Sequence, residues 1–406
     1  MDGNTVWILA ATALVLLMVP GLALFYGGMV RSKNVLNMLN MNMYCLGVIP
    51  IVWAVVGFSI SVGTGGPDSS VFGFLGFDNF WMNGVAESFS GDLADGTMAG
   101  WAFGLTFAVI TPALISGAVA DRMKFSAWMV FVPIWSLVVY SPVVFWVYSG
   151  WIYDLPAHDF AGGTAIHINA GAAALAMVIV LGKRRGWPER SWPPHNLPLV
   201  VLGTGILWFG WFGFNSGLAG PDAGQALTNT FLAAAAGLMG WMVIEVITGG
   251  KPTALGMCSG IVAGLVAITP AAGFVGTMSS IVFGLAAGVI CFGAIQLKEK
   301  LGYDDSLDVV GIHMVGGIVG GLLIGFFASD DAFSGEFEEA SASLLFNQFI
   351  SIVVVMVFSF CVTYFIAKVL DTVIGLRVSD EAEQAGLDSS EHGETAYIDE
   401  GSLTRS

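Results

Sequence analysis

Two histidines, His167 and His313, stand in matching surroundings far apart in the chain. The first lies in DFAGGTAIHINAG (159–171) and the second in DVVGIHMVGG (308–317), and both pieces carry Ile-His-(Ile/Met)-x-x-Gly. A neutral imidazole offers one hydrogen-bond donor and one acceptor, and it gains or loses a proton close to neutrality. Each of these two sits at the start of an apolar run, where an ionisable group is expensive and by default functional. Hydrogen bonding to a small polar cargo, or a proton relay, is the chemistry such a pair can do. A carboxylate precedes each, Asp159 and Asp308, and is expected to cap the start of the helix by accepting orphan helix amides.

The elements that position these groups follow from composition. Of 406 residues, 56% are hydrophobic and 11% charged, against roughly 25% charged in soluble domains. Runs long enough to span a bilayer, about 17–25 apolar residues each, are read at 6–30, 42–63, 99–120, 126–147, 162–182, 198–218, 226–249, 254–271, 274–297, 309–329 and 345–370. The fold class expected is therefore an all-α polytopic membrane protein with eleven transmembrane helices, occupying 1–370, followed by an acidic tail at 371–406. All fourteen Lys and Arg fall after odd-numbered runs or, for Lys368, at the end of one, and the intervening loops carry acids and no Lys or Arg. The positive-inside rule then puts the N-terminus outside and the C-terminus in the cytoplasm. MDGNT before the first run has no basic segment, so a retained helix is expected rather than a cleaved signal.

The histidine segments make the fifth and tenth runs equivalent. The ends of the first and sixth, PGLALFYGGMVRSKN and GWFGFNSGLAGPDA, match in the same sense. The halves are then runs 1–5 and 6–10, and an odd number of spans in each makes this an inverted 5+5 repeat, with binding expected near the mid-plane. The eleventh run is left as a peripheral brace. For the histidines to meet, the segments before them must already penetrate the membrane. Asp159 to His167 spans about 12 Å if helical, and non-helical backbone at that depth is tolerated where it lines a cavity.

The strings PGLALFYGGMVRSKNVL, TFAVITPALISGAVADRMKFSA, DFAGGTAIHINAG, LWFGWFGFNSG and DDSLDVVGIHMVGGIVGG together resemble the ammonium transporter family, which includes methylammonium permeases and Rhesus proteins. The likeness runs over nearly the whole chain. It implies a homotrimer in the cell membrane with one pore per subunit, carrying ammonium or methylammonium. By the same resemblance Phe103, Phe107 and Tyr148 form an outer recruitment site, Phe107 and Phe214 close the outer mouth, and His167 and His313 line the central pore. Two positions depart from the family pattern. Tyr148 stands in WVYSGW where a Trp is usual, and Leu218 stands where many members have Ser, with Ser216 as the neighbouring hydroxyl. Tyr is a weaker cation–π partner than Trp, and a lost hydrogen bond to a cation is worth about 1.5–3 kcal/mol.

The logic of such a pore is physical. Ammonium and potassium share charge and approximate size, so aromatic faces attract both. Ammonium alone can shed a proton and cross an apolar stretch as neutral ammonia, whereas an intact cation there costs several kcal/mol. Two imidazolium charges side by side in such an interior repel, so at most one histidine is expected to carry an extra proton at a time. Net electrogenic uptake is the expectation by resemblance.

The tail reads by composition as disordered and solvating, while VSDEAEQAGLDSSEHGETAY is similar to the family's cytoplasmic tail and implies a PII-type signalling partner. Cys45, Cys258, Cys291 and Cys361 fall in predicted helices at no metal-ligand spacing and are read as packing residues. Glu245 is read as a buried acid that pairs or lines a subunit contact. The net charge of −16 argues against a nucleic-acid partner. No cofactor, metal or enzymatic activity is expected. Two other classes remain: an ammonium sensor with little flux, and a membrane protein holding haem between the two histidines.

Overall fold

A computed structural model of the chain describes residues 3–62, 70–71, 74–77, 80–83, 85, 98–190, 192–329, 332 and 338–397. Among these, eleven apolar helices follow one another as α1 Gly3–Met29, α2 Val35–Ser61, α3 Met98–Val119, α4 Phe125–Asp154, α5 Gly163–Leu181, α6 Leu197–Ser216, α7 Gly220–Ile247, α8 Ala254–Ile268, α9 Thr277–Leu301, α10 Val310–Phe327 and α11 Ala342–Val373. Ten are long and apolar enough to cross a bilayer, and α8, at 15 residues, is the short one.

Two boundaries shift by about seven residues: α4 runs on to Asp154 rather than 147, and α2 begins at Val35 rather than near position 42. The intervening NMLNMN looks too polar for a span, yet Asn37 and Asn42 are buried. Asn42 Nδ2 donates to the Met38 carbonyl at 2.9 Å and to Ser116 Oγ at 3.3 Å. A buried amide that finds such partners is tolerated.

Helices α5 and α10 start alike. Each opens with a wide π-type turn that carries its histidine, Gly163–Ile168 in α5 and Val310–Met314 in α10. Such widened turns recur at functional sites because they re-aim a side chain. The two helices cross closely. A Cβ on Gly171 would stand 2.6 Å from Met314, so only glycine admits this approach.

Helix α11 packs on the outside of the histidine-bearing helices. It lies across α5 and α10, with Ser359 Oγ donating to the Asn169 carbonyl at 2.7 Å and Gln348 Nε2 to the Gly321 carbonyl at 3.0 Å. Its outer side exposes Phe346, Phe349 and Phe365. Cys45, Cys258 and Cys291 are buried and unpaired, while Cys361 faces outward from α11.

Two expectations need correcting. Glu245 is half-buried and accepts from the Thr253 hydroxyl at 2.8 Å and the Thr253 amide at 3.1 Å. It therefore steadies the start of α8. The tail is not a solvated coil over its described part. It forms two short helices, α12 Asp380–Ala385 and α13 Leu387–His392, laid on the loops that carry the basic residues. The Asn37 amide donates to Asp388 Oδ1 at 2.8 Å, the Leu387 amide to Asn34 Oδ1 at 2.8 Å, and the Phe125 amide to Glu391 Oε2 at 2.9 Å. Glu383 and Asp388 are buried. Composition misjudges the tail because its acids answer specific amides and cations of the bundle.

The same face holds a buried ionic network. Arg184 meets Asp304 at 2.8 Å and Asp121 at 3.4 Å. Arg122, fully buried, donates through Nη1 to Ser306 Oγ at 2.6 Å and through Nε to the Gly182 carbonyl at 2.9 Å. Burial alone would raise the Asp304 carboxyl, but the hydrogen bonds from Arg184 and the Arg122 charge hold it below its ordinary value.

Candidate functional site

A cavity of about 400 Å³ opens on the face opposite the basic loops. Phe103, Phe107, Tyr148 and Phe214, drawn from α3, α4 and α6, all line it, as does Leu218. Phe103 and Phe107 have ring centroids 4.8 Å apart, and Phe107 stacks on Phe214 at 4.3 Å with a 31° tilt. Further aromatic walls come from Trp53, Trp101, Tyr140 and Phe160. Sequence reasoning passes over these four. Trp101, two residues before Phe103, and Phe160, next to Asp159 in the first histidine segment, are the two with a local signal. Ser216 does not line the cavity. Its hydroxyl donates to the Phe212 carbonyl and its own carbonyl accepts from Trp7 Nε1 at 2.9 Å.

Behind the phenyl pair lies a second, narrow cavity of about 10 Å³, the room of roughly one water. Phe214 belongs to the wall of both cavities. The inner walls are otherwise apolar, from residues such as Leu22, Phe25, Ile110, Leu114 and Val262, except for His167 and His313.

The two histidines are brought together. Their Nδ1 atoms are 3.1 Å apart, and the rings lie nearly parallel at 14°. One Nδ1 must donate and the other accept, so the two Nε2 atoms are left with opposite characters, one donor and one acceptor. His167 Nε2 is buried without a protein partner. A buried polar atom so placed calls for a ligand or water to complete it. Trp211 stacks on His167 at 5.3 Å and is itself fixed by donating Nε1 to Thr269 Oγ1 at 2.9 Å. Direct contact between the imidazoles leaves no slot for a haem, and that alternative is withdrawn.

The start of α5 is held by the Asp159 carboxylate. Asp159 Oδ1 accepts from the amides of Gly162 and Gly163 at 2.8 and 2.7 Å, and Oδ2 from Thr164 and Ala165 at 2.8 and 2.9 Å. Gly162, at φ 108°, turns the chain into this nest in a conformation that an L side chain rarely adopts. At α10 the expected residue is wrong. The Val310 amide donates to Asp305 Oδ2 at 2.7 Å, whereas Asp308 pairs with Lys298. Asp308 takes a left-handed conformation, φ 64°, immediately before the helix, and its carboxylate goes to the end of α9 instead. Asp305 Oδ1 has no protein partner. Burial, and then the neighbouring Asp308 charge, push the Asp305 carboxyl up to about 6. No cluster that could hold a metal occurs among the described residues.

The sequence pattern of the Ammonium Transporter Family matches residues 6–397. The chain is 47% identical to an ammonium transporter of Mycobacterium tuberculosis, over 97% of this chain and 90% of that protein. It is 45% identical to an ammonium transporter of Bacillus subtilis, over 98% and 99%. The crystal structure of Candida albicans Mep2 is similar at a TM-score of 0.86 and 35% identity, covering 94% of this chain and 87% of that one. A structure titled Sensor Amt Protein is similar at a TM-score of 0.88 and 28% identity, covering 96% and 98%. On the family pattern and on relatives this close over nearly its full length, the chain belongs to the Ammonium Transporter Family.

Proposed function

We propose that this ammonium transporter takes ammonium from outside the cell, strips one proton from it at the phenyl pair, and passes ammonia along the histidine-lined tube. In this reading Phe103, Phe107 and Tyr148 attract the cation through their π faces. Phe107 and Phe214 close the way to the tube. The N–H bond of ammonium breaks with its electron pair left on nitrogen, and the proton goes to water or an imidazole nitrogen. His167 and His313 offer ammonia a donor and an acceptor and relay the proton separately, so that net transport is electrogenic. Asp159 and Asp305 hold the starts of the two helices that carry the histidines.

The observation that carries this reading is the change of environment across Phe214. On one side is a roomy aromatic cavity, and on the other a largely apolar cavity the size of one small molecule, which this reading takes as part of the tube. Potassium cannot follow ammonia through the second, because it has no proton to leave behind.

The basic face is then cytoplasmic, and the chain works as a homotrimer in the plasma membrane. A PII-type protein is the partner for that face, where the folded tail lies. A sensor with low flux is the second reading, and the likeness to a protein titled as a sensor favours keeping it. Proteoliposomes given an inward ammonium step separate the two. Net ammonium-dependent current well above that of empty liposomes supports transport, and a current equal to theirs contradicts it.

A further inference from the structure

Between the loop after α1, the loop after α5 and the docked tail lies a cavity of about 250 Å³, remote from the pore residues. Four cations line it: Arg31, Lys33, Arg185 and Arg190. Trp192 adds an aromatic wall, with the Arg190 guanidinium 5.8 Å from its ring centre. Glu383 and Gln384 of the tail close it.

The acid in this wall is already used. Glu383 Oε1 accepts from the Arg185 amide at 2.8 Å and Oε2 from Arg377 Nη2 at 2.7 Å. Arg185 also meets Asp380 at 3.1 Å, an exposed pair of little strength. It donates through Nε and Nη1 to the Gln384 side-chain oxygen at 3.1 and 2.9 Å, so the free donors of the cavity are chiefly those of Lys33 and Arg190. Arg31 spends Nη2 on the Glu383 carbonyl at 3.0 Å, and its buried Nε makes no hydrogen bond, standing 3.7 Å from Asp121. Lys33 donates to the Gln384 carbonyl, which leaves two of its three N–H groups. The positive excess is felt locally. Lys33 is held below its ordinary value by burial first, then by the Arg31 and Arg190 charges, with Asp121 opposing.

Convergent, under-used guanidinium and ammonium donors in a small cavity suit the tetrahedral oxygens of a phosphate group. We propose that this pocket binds a phosphate-bearing anion and that the bound anion locks the tail onto the loops. The same cations hold the carbonyls of Glu383 and Gln384, and the Lys33 carbonyl accepts from the Asp388 amide at 3.1 Å, so ligand and tail share one support. A headgroup of an anionic lipid and a soluble phosphate both carry this chemistry, and basic pockets at the inner membrane face commonly take the former. The inference stands apart from the ammonium reading, since none of these residues lines the pore.

The test is limited proteolysis of the tail in the full-length protein. In neutral detergent, inorganic phosphate is compared with sodium chloride at equal ionic strength. In nanodiscs, phosphatidylglycerol is compared with phosphatidylcholine. Chloride screening weakens the Arg185–Asp380 pair and should speed cleavage, whereas a bound phosphate group slows it, about tenfold at ten times its Kd. Protection by inorganic phosphate assigns a soluble ligand, and protection only by phosphatidylglycerol assigns the lipid. Either protection should vanish in K33Q/R190Q, two loop substitutions outside the pore that are expected to leave ammonium current intact. No protection by either probe, or equal protection of the double variant, overturns the proposal.

Discussion

His167 and His313 face each other Nδ1 to Nδ1 at 3.1 Å, deep between α5 and α10. Sharing one proton makes them a single unit, because the tautomer of one ring dictates that of the other. Residues that act as a unit give strongly non-additive losses. His167→Ala and His313→Ala should each lower ammonium flux by at least about tenfold, and the double variant should be no worse than about twofold beyond either. Flux in proteoliposomes measures this, and strictly multiplicative losses would show two independent sites.

Phe214 is the wall shared by the outer cavity and the tube. Phe214→Ala should join the two spaces and admit water to the tube. Osmotic water permeability of proteoliposomes should rise and exclusion of potassium weaken. Loss of this buried ring should also destabilise the fold by about 3–5 kcal/mol, seen as a lower thermal midpoint.

Asp159 serves four amides at the start of α5, while the start of α10 relies on Asp305 rather than Asp308. Asp159→Ala should abolish flux and lower the thermal midpoint. D305A should be more harmful than D308A, and the reverse order would return the capping role to Asp308.

Asp305 also predicts a pH dependence. Its carboxyl is raised from an ordinary 3.8 to about 6 in the fold, by burial and then by Asp308. The folded protein therefore binds more protons than the unfolded chain between these values. This group opposes folding progressively as pH rises through that window, by at most roughly 3 kcal/mol, and adds no slope above it. Thermal midpoints measured from pH 4 to pH 7 should fall less steeply with pH in D305N than in the parent.

Tyr148 and Leu218 both line the outer cavity, where the family usually offers Trp and Ser. L218S adds a hydroxyl acceptor for the cation, and Y148W adds a stronger π face. Each should tighten half-saturation for ammonium, L218S by about tenfold if its bond is worth about 1.4 kcal/mol. Unchanged half-saturation in both would show that recruitment does not pass through these positions.

Much of this is legible in the sequence, for a physical reason. Spans, their number and the histidine pair follow from hydropathy and from a repeat that geometry must invert, and these leave a mark on every residue involved. The misreadings are of two kinds, a wrong choice between neighbouring residues and partners that are distant in the chain. Asp308 suggests itself by closeness to its helix, yet the spacing already favours Asp305, eight residues before His313 as Asp159 is eight before His167. Asn37 and Asn42 look too polar for a span because their partners, Ser116 and the tail, lie elsewhere. The tail looks solvated because, besides the nearby Arg377, Glu383 and Asp388 are matched by backbone amides nearly two hundred or more positions away.

The central claim is that the tube passes ammonia and excludes intact cations. Charge movement in proteoliposomes after matched pulses of ammonium and potassium tests it most directly. The account predicts a current with ammonium and none above empty liposomes with potassium, with His167→Ala losing most of the first. Equal currents for the two ions in the parent protein would contradict it.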